Sequence, residues 1–305
     1  MKKSELLGFR IYRQESLPES FRRVIREQLQ QSLLLCGRYS EAPDLATHEI
    51  RKSTKRIRAV YRLFRRVTGD ESYTHGRNFY SDLSHILAEH RISIVHIDTL
   101  RLLLTEKTLP VNPVFLNKLI TGLENHHKQL TAKIFKKQQA DQYLAGILAA
   151  EIKATADTPM FLCDFHDLAS GLKKTYGRGK KCLDLVIQHP TTENLHELRK
   201  IVKSLWNQLI LIRPIWPSYI SLTVHHLDVL AQRLGLEHDL AELEQYFRFG
   251  RTGKDESQVV VLLDFIARKR QRIQRAIRPL AMRLYAEKPA MMAEKMEVFY
   301  RLFVG

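Results

Sequence analysis

Cysteine, glycine and long apolar runs are all scarce in this 305-residue chain. Its three cysteines, Cys36, Cys163 and Cys182, are too few and too scattered for a disulfide framework or a zinc knuckle. Each reads as a small buried hydrophobe in a reducing compartment. No run approaches the roughly 18 apolar residues of a membrane span. Arg10, Arg13 and Glu15 interrupt the apolar stretch that a signal peptide needs after Met1-Lys2-Lys3. A soluble, cytoplasmic chain without membrane insertion is therefore expected. With only 13 glycines there is no Gly-rich phosphate loop of the Walker type. Strict apolar/polar alternation is missing too, so no strand is expected.

What the chain does have is positive charge at helical spacing. The 49 Lys and Arg against 33 Asp and Glu leave a formal charge of +16, which attracts polyanions but does not choose a fold. Apolar residues recur three and four apart over 17–36, 45–67, 76–90, 111–153, 160–188, 193–213, 217–234, 236–247, 254–286 and 289–303. Stop signals fall at Gly69-Asp70, Leu109-Pro110, Asp157-Thr158-Pro159, His189-Pro190 and Phe249-Gly250. The fold class expected is all-α.

A repeat sharpens this reading. His48-Glu49-Ile50-Arg51-Lys52 is matched by His196-Glu197-Leu198-Arg199-Lys200, an offset of 148 residues (48 to 196), and Lys55 and Lys203 extend both copies. A duplicated helical bundle follows, with repeats over 1–157 and 158–305 meeting near Ala156–Pro159.

On a helix advancing about 100° per residue, His48, Arg51, Lys52, Lys55, Arg58, Arg62 and Arg66 share a sector of roughly 120°. Ile50, Ile57, Val60, Tyr61, Phe64 and Val67 take the opposite side. The segment 48–66 holds eight Lys or Arg and one acid, Glu49. Ordinary solvated faces mix signs, because like charges four apart cost a few tenths of a kcal/mol per pair. The unrelieved stripe therefore points to an anionic ligand. In the second copy His196, Arg199, Lys200 and Lys203 share a face, but Trp206, Asn207 and Ile210 end it. The grip is expected to be lopsided, strongest along the first copy.

The stripe offers phosphate the forked donors of arginine and the point charges of lysine. It lacks the aromatic platforms that bases stack on, which makes nucleic acid the weaker alternative polyanion. Thirteen histidines invite a metal, but a helical two-His site wants His at i and i+4, where Lys52 and Lys200 stand. The pairs His126-His127 and His225-His226 diverge by about 100° around a helix. Metal-dependent phosphohydrolysis would need carboxylate-held ions, and the stripes offer only Glu49 and Glu197. No metal, cofactor or catalysis is expected.

These residues resemble the CHAD family, the conserved histidine α-helical domain. His48, Arg51, Lys52, Lys55, Arg56 and Arg58 match its His-x-x-Arg-Lys-x-x-Lys-Arg-x-Arg hallmark in full. His196, Arg199, Lys200 and Lys203 match the second-half hallmark, and Gly171-Leu172, Leu234-Gly235 and His238-Asp239-Leu240 match around it. The resemblance implies two pseudo-symmetric four-helix bundles around a basic groove or pore, binding inorganic polyphosphate on polyphosphate granules. Carried over, the anion site takes Arg22, Arg26, His48, Arg51, Lys52, Lys55, Arg58 and Arg62, then Arg178, Lys181, His196, Arg199, Lys200 and Lys203 from the second half. One departure is Arg91-Ile92, where the family has Arg-Asp, so the salt bridge of that acid is expected to be missing.

Overall fold

The computed structural model describes residues 8–160, 164–249 and 256–305. Among them are eleven α-helices and no strand, as the spacing of apolar residues predicts. The first half carries α1 (Leu17–Cys36), α2 (Pro43–Leu63), α3 (Arg65–Ile86), α4 (Ala88–Leu104), α5 (Pro113–Thr131) and α6 (Ala140–Ala156). The second carries α7 (Phe165–Gln188), α8 (Thr192–Ile212), α9 (Pro217–Phe249), α10 (Glu256–Leu284) and α11 (Pro289–Val304). No helix among the described residues is long and apolar enough to cross a membrane. Cys36 and Cys182 are buried, while Cys163 and the stop at Gly250 lie outside the described residues.

Local chemistry sets the helix starts. Ser16 caps α1 in a reciprocal box with Glu19, and Asn112, Asp164 and Thr191 cap α5, α7 and α8. Proline opens α2, α5 and α11, where its missing N–H costs nothing.

Four differences from the sequence expectations have physical causes. Gly69 adopts φ 78°, a left-handed conformation natural to glycine, so the chain kinks there and resumes as helix instead of stopping. Residues 91–104 carry no obvious stripe, because His90, Ser93, His96 and Thr99 share the buried face of α4 with Ile97, Leu100 and Leu103. The single stretch 111–153 is divided by a π-helical turn, Ala132–Lys137, and by Gln139 at φ 49°. Conversely, 217–234 and 236–247 fuse into one 33-residue helix, α9.

The large core joins α1, α2, α3, α6, α7, α8, the first part of α9, the last part of α10 and α11. Fully buried Phe21, Ile25, Ile50 and Ile57 belong to it, and burying one such side chain contributes about 1.5–3 kcal/mol. A smaller core takes Leu100 from α4, Leu116 and Ile120 from α5, Leu240 and Leu243 from α9, and Leu262 and Ile266 from α10. Both cores draw residues from either side of position 157, so the sequence halves interleave in space.

At the centre α2 packs against α7 and α8. Gln208 on α8 donates to the Ala59 carbonyl of α2 at 3.2 Å. α7 comes so close that a Cβ on Gly171 would stand 2.2 Å from the Leu63 carbonyl oxygen. Backbone cannot yield there as a flexible side chain would. Gly171→Ala is therefore expected to lower stability by about 1–3 kcal/mol, through overpacking, with the urea midpoint as readout. A midpoint equal to wild type would show that α7 does not ride on α2 in this way.

Candidate functional site

Helix α2 aims Arg51, Lys55, Arg58 and Arg62, spaced four, three and four apart, along a single line. They form one wall of a groove of about 910 Å³. α8 supplies the facing wall with His196, Arg199, Lys200 and Lys203. Arg178 of α7 and Arg77 of α3 complete the charged lining, and His238 of α9 adds a polar ring. The groove thus holds nine Lys or Arg against two acids, Asp82 and Glu197.

Nine of the residues expected at the anion site line this one groove: Arg51, Lys55, Arg58, Arg62, Arg178, His196, Arg199, Lys200 and Lys203. Five do not. Arg22 donates to the Thr158 carbonyl at 3.2 Å, tying α1 to the link before α7, and Arg26 is an exposed residue elsewhere on α1. Lys52 turns to Glu49 at 3.0 Å, and His48 stands 3.7 Å from the same carboxylate. Lys181 lies one turn past Arg178 and is exposed outside the groove. Arg56, matched in the hallmark, is buried: it donates to Gln28 Oε1 at 3.2 Å and lies over the Phe9 ring at 5.4 Å. It belongs to the α1–α2 packing and does not line the groove.

Sequence reading missed the face of α3. Tyr73, Arg77, Ser81 and His85 line the groove at four-residue spacing, a period that a search for apolar stripes passes over. His238 was noted only as part of a family match. It lies 3.3 Å from His196, Nδ1 to Nδ1. Trp206, which ends the second stripe, is buried in the core, with Lys203 over its ring at 4.4 Å.

The CHAD domain model matches residues 23–248, and that span holds both walls of the groove. The chain belongs to the CHAD family. Among solved structures it is similar to PptA from Streptomyces chartreusis, at 15% identity, over 88% of this chain and 99% of that one, with a TM-score of 0.61. That likeness shows a shared fold. No curated protein matches the chain in sequence.

In this CHAD domain the charges of the two walls are unequally compensated. Glu197 contacts Lys200 and lies 3.3 Å from Arg178. Burial works to raise its carboxyl pKa, but Lys200 and Arg178 outweigh this and lower it. Lys55 and Arg58 of α2 form no salt bridge among the described residues. Arg51 donates to the Ser84 carbonyl, bracing α2 on α3. Asp239 of α9 stands among Arg199, Arg91 and Lys55. The second half thereby places an acid near Arg91, the position whose own neighbour Ile92 lacks one.

Lys55 lines the cleft and is exposed to solvent, with protein crowding it on both sides. The surrounding protein first, then Arg199, Arg51, Lys203 and Arg91, push its pKa down to about 7. Burial and Arg199 bring His238 down to about 3, and burial with Lys200 lowers His196. The histidine pair is therefore neutral in the free groove at neutral pH, able to donate or accept a hydrogen bond but carrying no charge.

The sign for Lys55 is simple: its amine is neutral above about pH 7 and charged below. Its acylation by an amine-reactive reagent, followed site by site by mass spectrometry, should rise with a midpoint near 7, whereas ordinary lysines titrate near 10.4. Occupation of the groove by a polyanion should move that midpoint upward. A midpoint shared with surface lysines would show that the cations do not act on one another across the groove.

Proposed function

We propose that this groove binds inorganic polyphosphate, a long linear polyanion, and holds it without cleaving it. The observation that carries the reading is the concentration of nine cations and two acids in one groove, with Lys55 and Arg199 on its facing walls. Burial and neighbouring like charges disfavour the charged state of both groups, and a chain of phosphates relieves that cost directly. Membership of the CHAD family fits a polyphosphate ligand.

Apart from its three histidines the groove contains one aromatic, Tyr73, and that ring is already covered by Arg65 at 4.5 Å. A ligand that is all charge suits such a lining better than one whose bases need stacking surfaces. Asp82 and Glu197 are the acids present, and Glu197 is held by two cations. Such a lining favours binding over metal-assisted cleavage. On this reading the two repeats, 1–157 and 158–305, contribute unequally, with α2 providing the longer cationic line. Association with polyphosphate granules in the cytoplasm would follow from the same grip.

The reading is tested by binding long-chain polyphosphate in competition with single-stranded RNA, DNA and heparin across a salt series. Polyphosphate should win, and affinity should fall steeply with salt as counterions are released. It should also tighten as pH falls from about 8 to 6, because Lys55 becomes charged. Lys55→Glu with Arg58→Glu should weaken binding about 100-fold or more, at roughly tenfold per charge-assisted contact, with unchanged circular dichroism. These two serve better than Arg51, whose substitution would also remove its contact with α3. Equal preference for all four polyanions, or full affinity in the double variant, would overturn the assignment.

A further inference from the structure

Outside the groove, three helices bring two imidazoles and a carboxylate together. Asp44 stands in the first turn of α2, His90 in the first turn of α4 and His127 in the last turn of α5. Asp44 Oδ1 is 2.9 Å from His127 Nε2 and 3.4 Å from His90 Nε2. The three donor atoms all lie within 4.8 Å of one another. None of these residues lines the groove.

The far sides of both rings are already held. Thr47 Oγ1 lies 2.9 Å from His90 Nδ1, and Ser93 Oγ lies 2.7 Å from His127 Nδ1. Ser93 has one hydroxyl hydrogen and also reaches the His90 carbonyl at 2.8 Å. When the hydrogen goes to that carbonyl, Ser93 accepts Nδ1–H from His127. The Nε2 lone pair of a neutral His127 then faces the Asp44 carboxylate, an arrangement that a cation between them makes favourable. Thr131 Oγ1 also lies 3.1 Å from His90 Nε2, a contact that an ion would displace. Hydroxyls on the outer nitrogens and the approach of both inner ones to one carboxylate are the outer-shell pattern of metal-ligating histidines.

We propose that Asp44, His90 and His127 form a binding site for a first-row divalent transition ion, with zinc the ion to test first. Two imidazole nitrogens and one carboxylate oxygen suit zinc and leave a position open for water. Ligands around zinc at bonds of about 2.0–2.1 Å stand roughly 3.3 Å apart in a tetrahedron, close to the two spacings from Asp44. The His90 side chain is fully buried and His127 nearly so, whereas Asp44 is half exposed and opens the site to solvent. Arg91 is the cation that opposes binding, and the Asp44 carboxylate offsets it. A bound ion would clamp α4 and α5 to the start of α2, one turn before His48.

Sequence reading expected no metal, because Lys52 and Lys200 stand where a second His is wanted, adjacent His pairs diverge and the basic stripes offer few carboxylates. That expectation compared neighbours on one helix, whereas His127 finds its partners on two others.

The test uses the full chain, freed of metal by chelator dialysis and titrated with zinc chloride against a chromophoric chelator, with Tm measured in parallel. Wild type should take up one ion at this site, and its Tm should rise with zinc concentration. His127→Ala and Asp44→Asn should each weaken uptake tenfold or more and remove the Tm rise. Ser93→Ala, which frees the His127 ring, should weaken it about tenfold. His126→Ala, an exposed neighbour, should bind as wild type does. Asp44→Asn keeps the test decisive if His127→Ala fails to fold. A wild-type Tm indifferent to zinc, or uptake in Asp44→Asn equal to wild type, would overturn the proposal.

Discussion

The structure depends on one constraint: the packing of α2 against α7 and α8 forces cations of both walls to face one another across a narrow cleft. Two like charges about 6 Å apart repel by roughly 3 kcal/mol at an effective dielectric near 20, and by under 1 kcal/mol in water. Such a cluster persists only because apolar contacts on the opposite helix faces hold it. Ile50, Ile57 and Val60 on α2, with Leu198, Ile201 and Leu205 on α8, are buried beneath the charged lines. The close passage of Gly171 past Leu63 fixes α7 at the same place.

Compensation inside the cleft is incomplete by construction. Glu197 gathers Arg178 and Lys200, and Asp239 sits among Arg199, Arg91 and Lys55, but neither Lys55 nor Arg58 of α2 closes a salt bridge among the described residues. An anion drawn to the groove therefore meets its least satisfied charges along α2. The neutral His196–His238 pair adds hydrogen-bonding capacity at the edge without adding to the repulsion. The Asp44–His90–His127 cluster lies at the opposite extreme of chemistry, with nearly buried imidazoles on a carboxylate, and it meets α2 one turn before the charged line begins.

Much of this was legible along the chain. The apolar spacing specified helices because burying one face of each is the dominant favourable term, and the 148-residue offset between His48 and His196 marked the two helices that form opposite walls. Nine of the expected site residues line one groove for the same reason: a run at three-and-four spacing cannot help sharing a face. The stray members lie off the groove for local reasons. Lys52 sits one step round the helix and finds Glu49, and Arg22 reaches a carbonyl of the chain beyond α6.

The sequence by itself determined the helices, the charged line of α2 and its shorter echo on α8, because these follow from residue type and the 3.6-residue turn. Only the tertiary structure decided which faces meet. It brought the polar side of α3 and His238 of α9 into the groove, withdrew Arg56 into the core, and joined His90 and His127 on Asp44. Such meetings depend on how helices distant in the chain pack, and no local spacing encodes that.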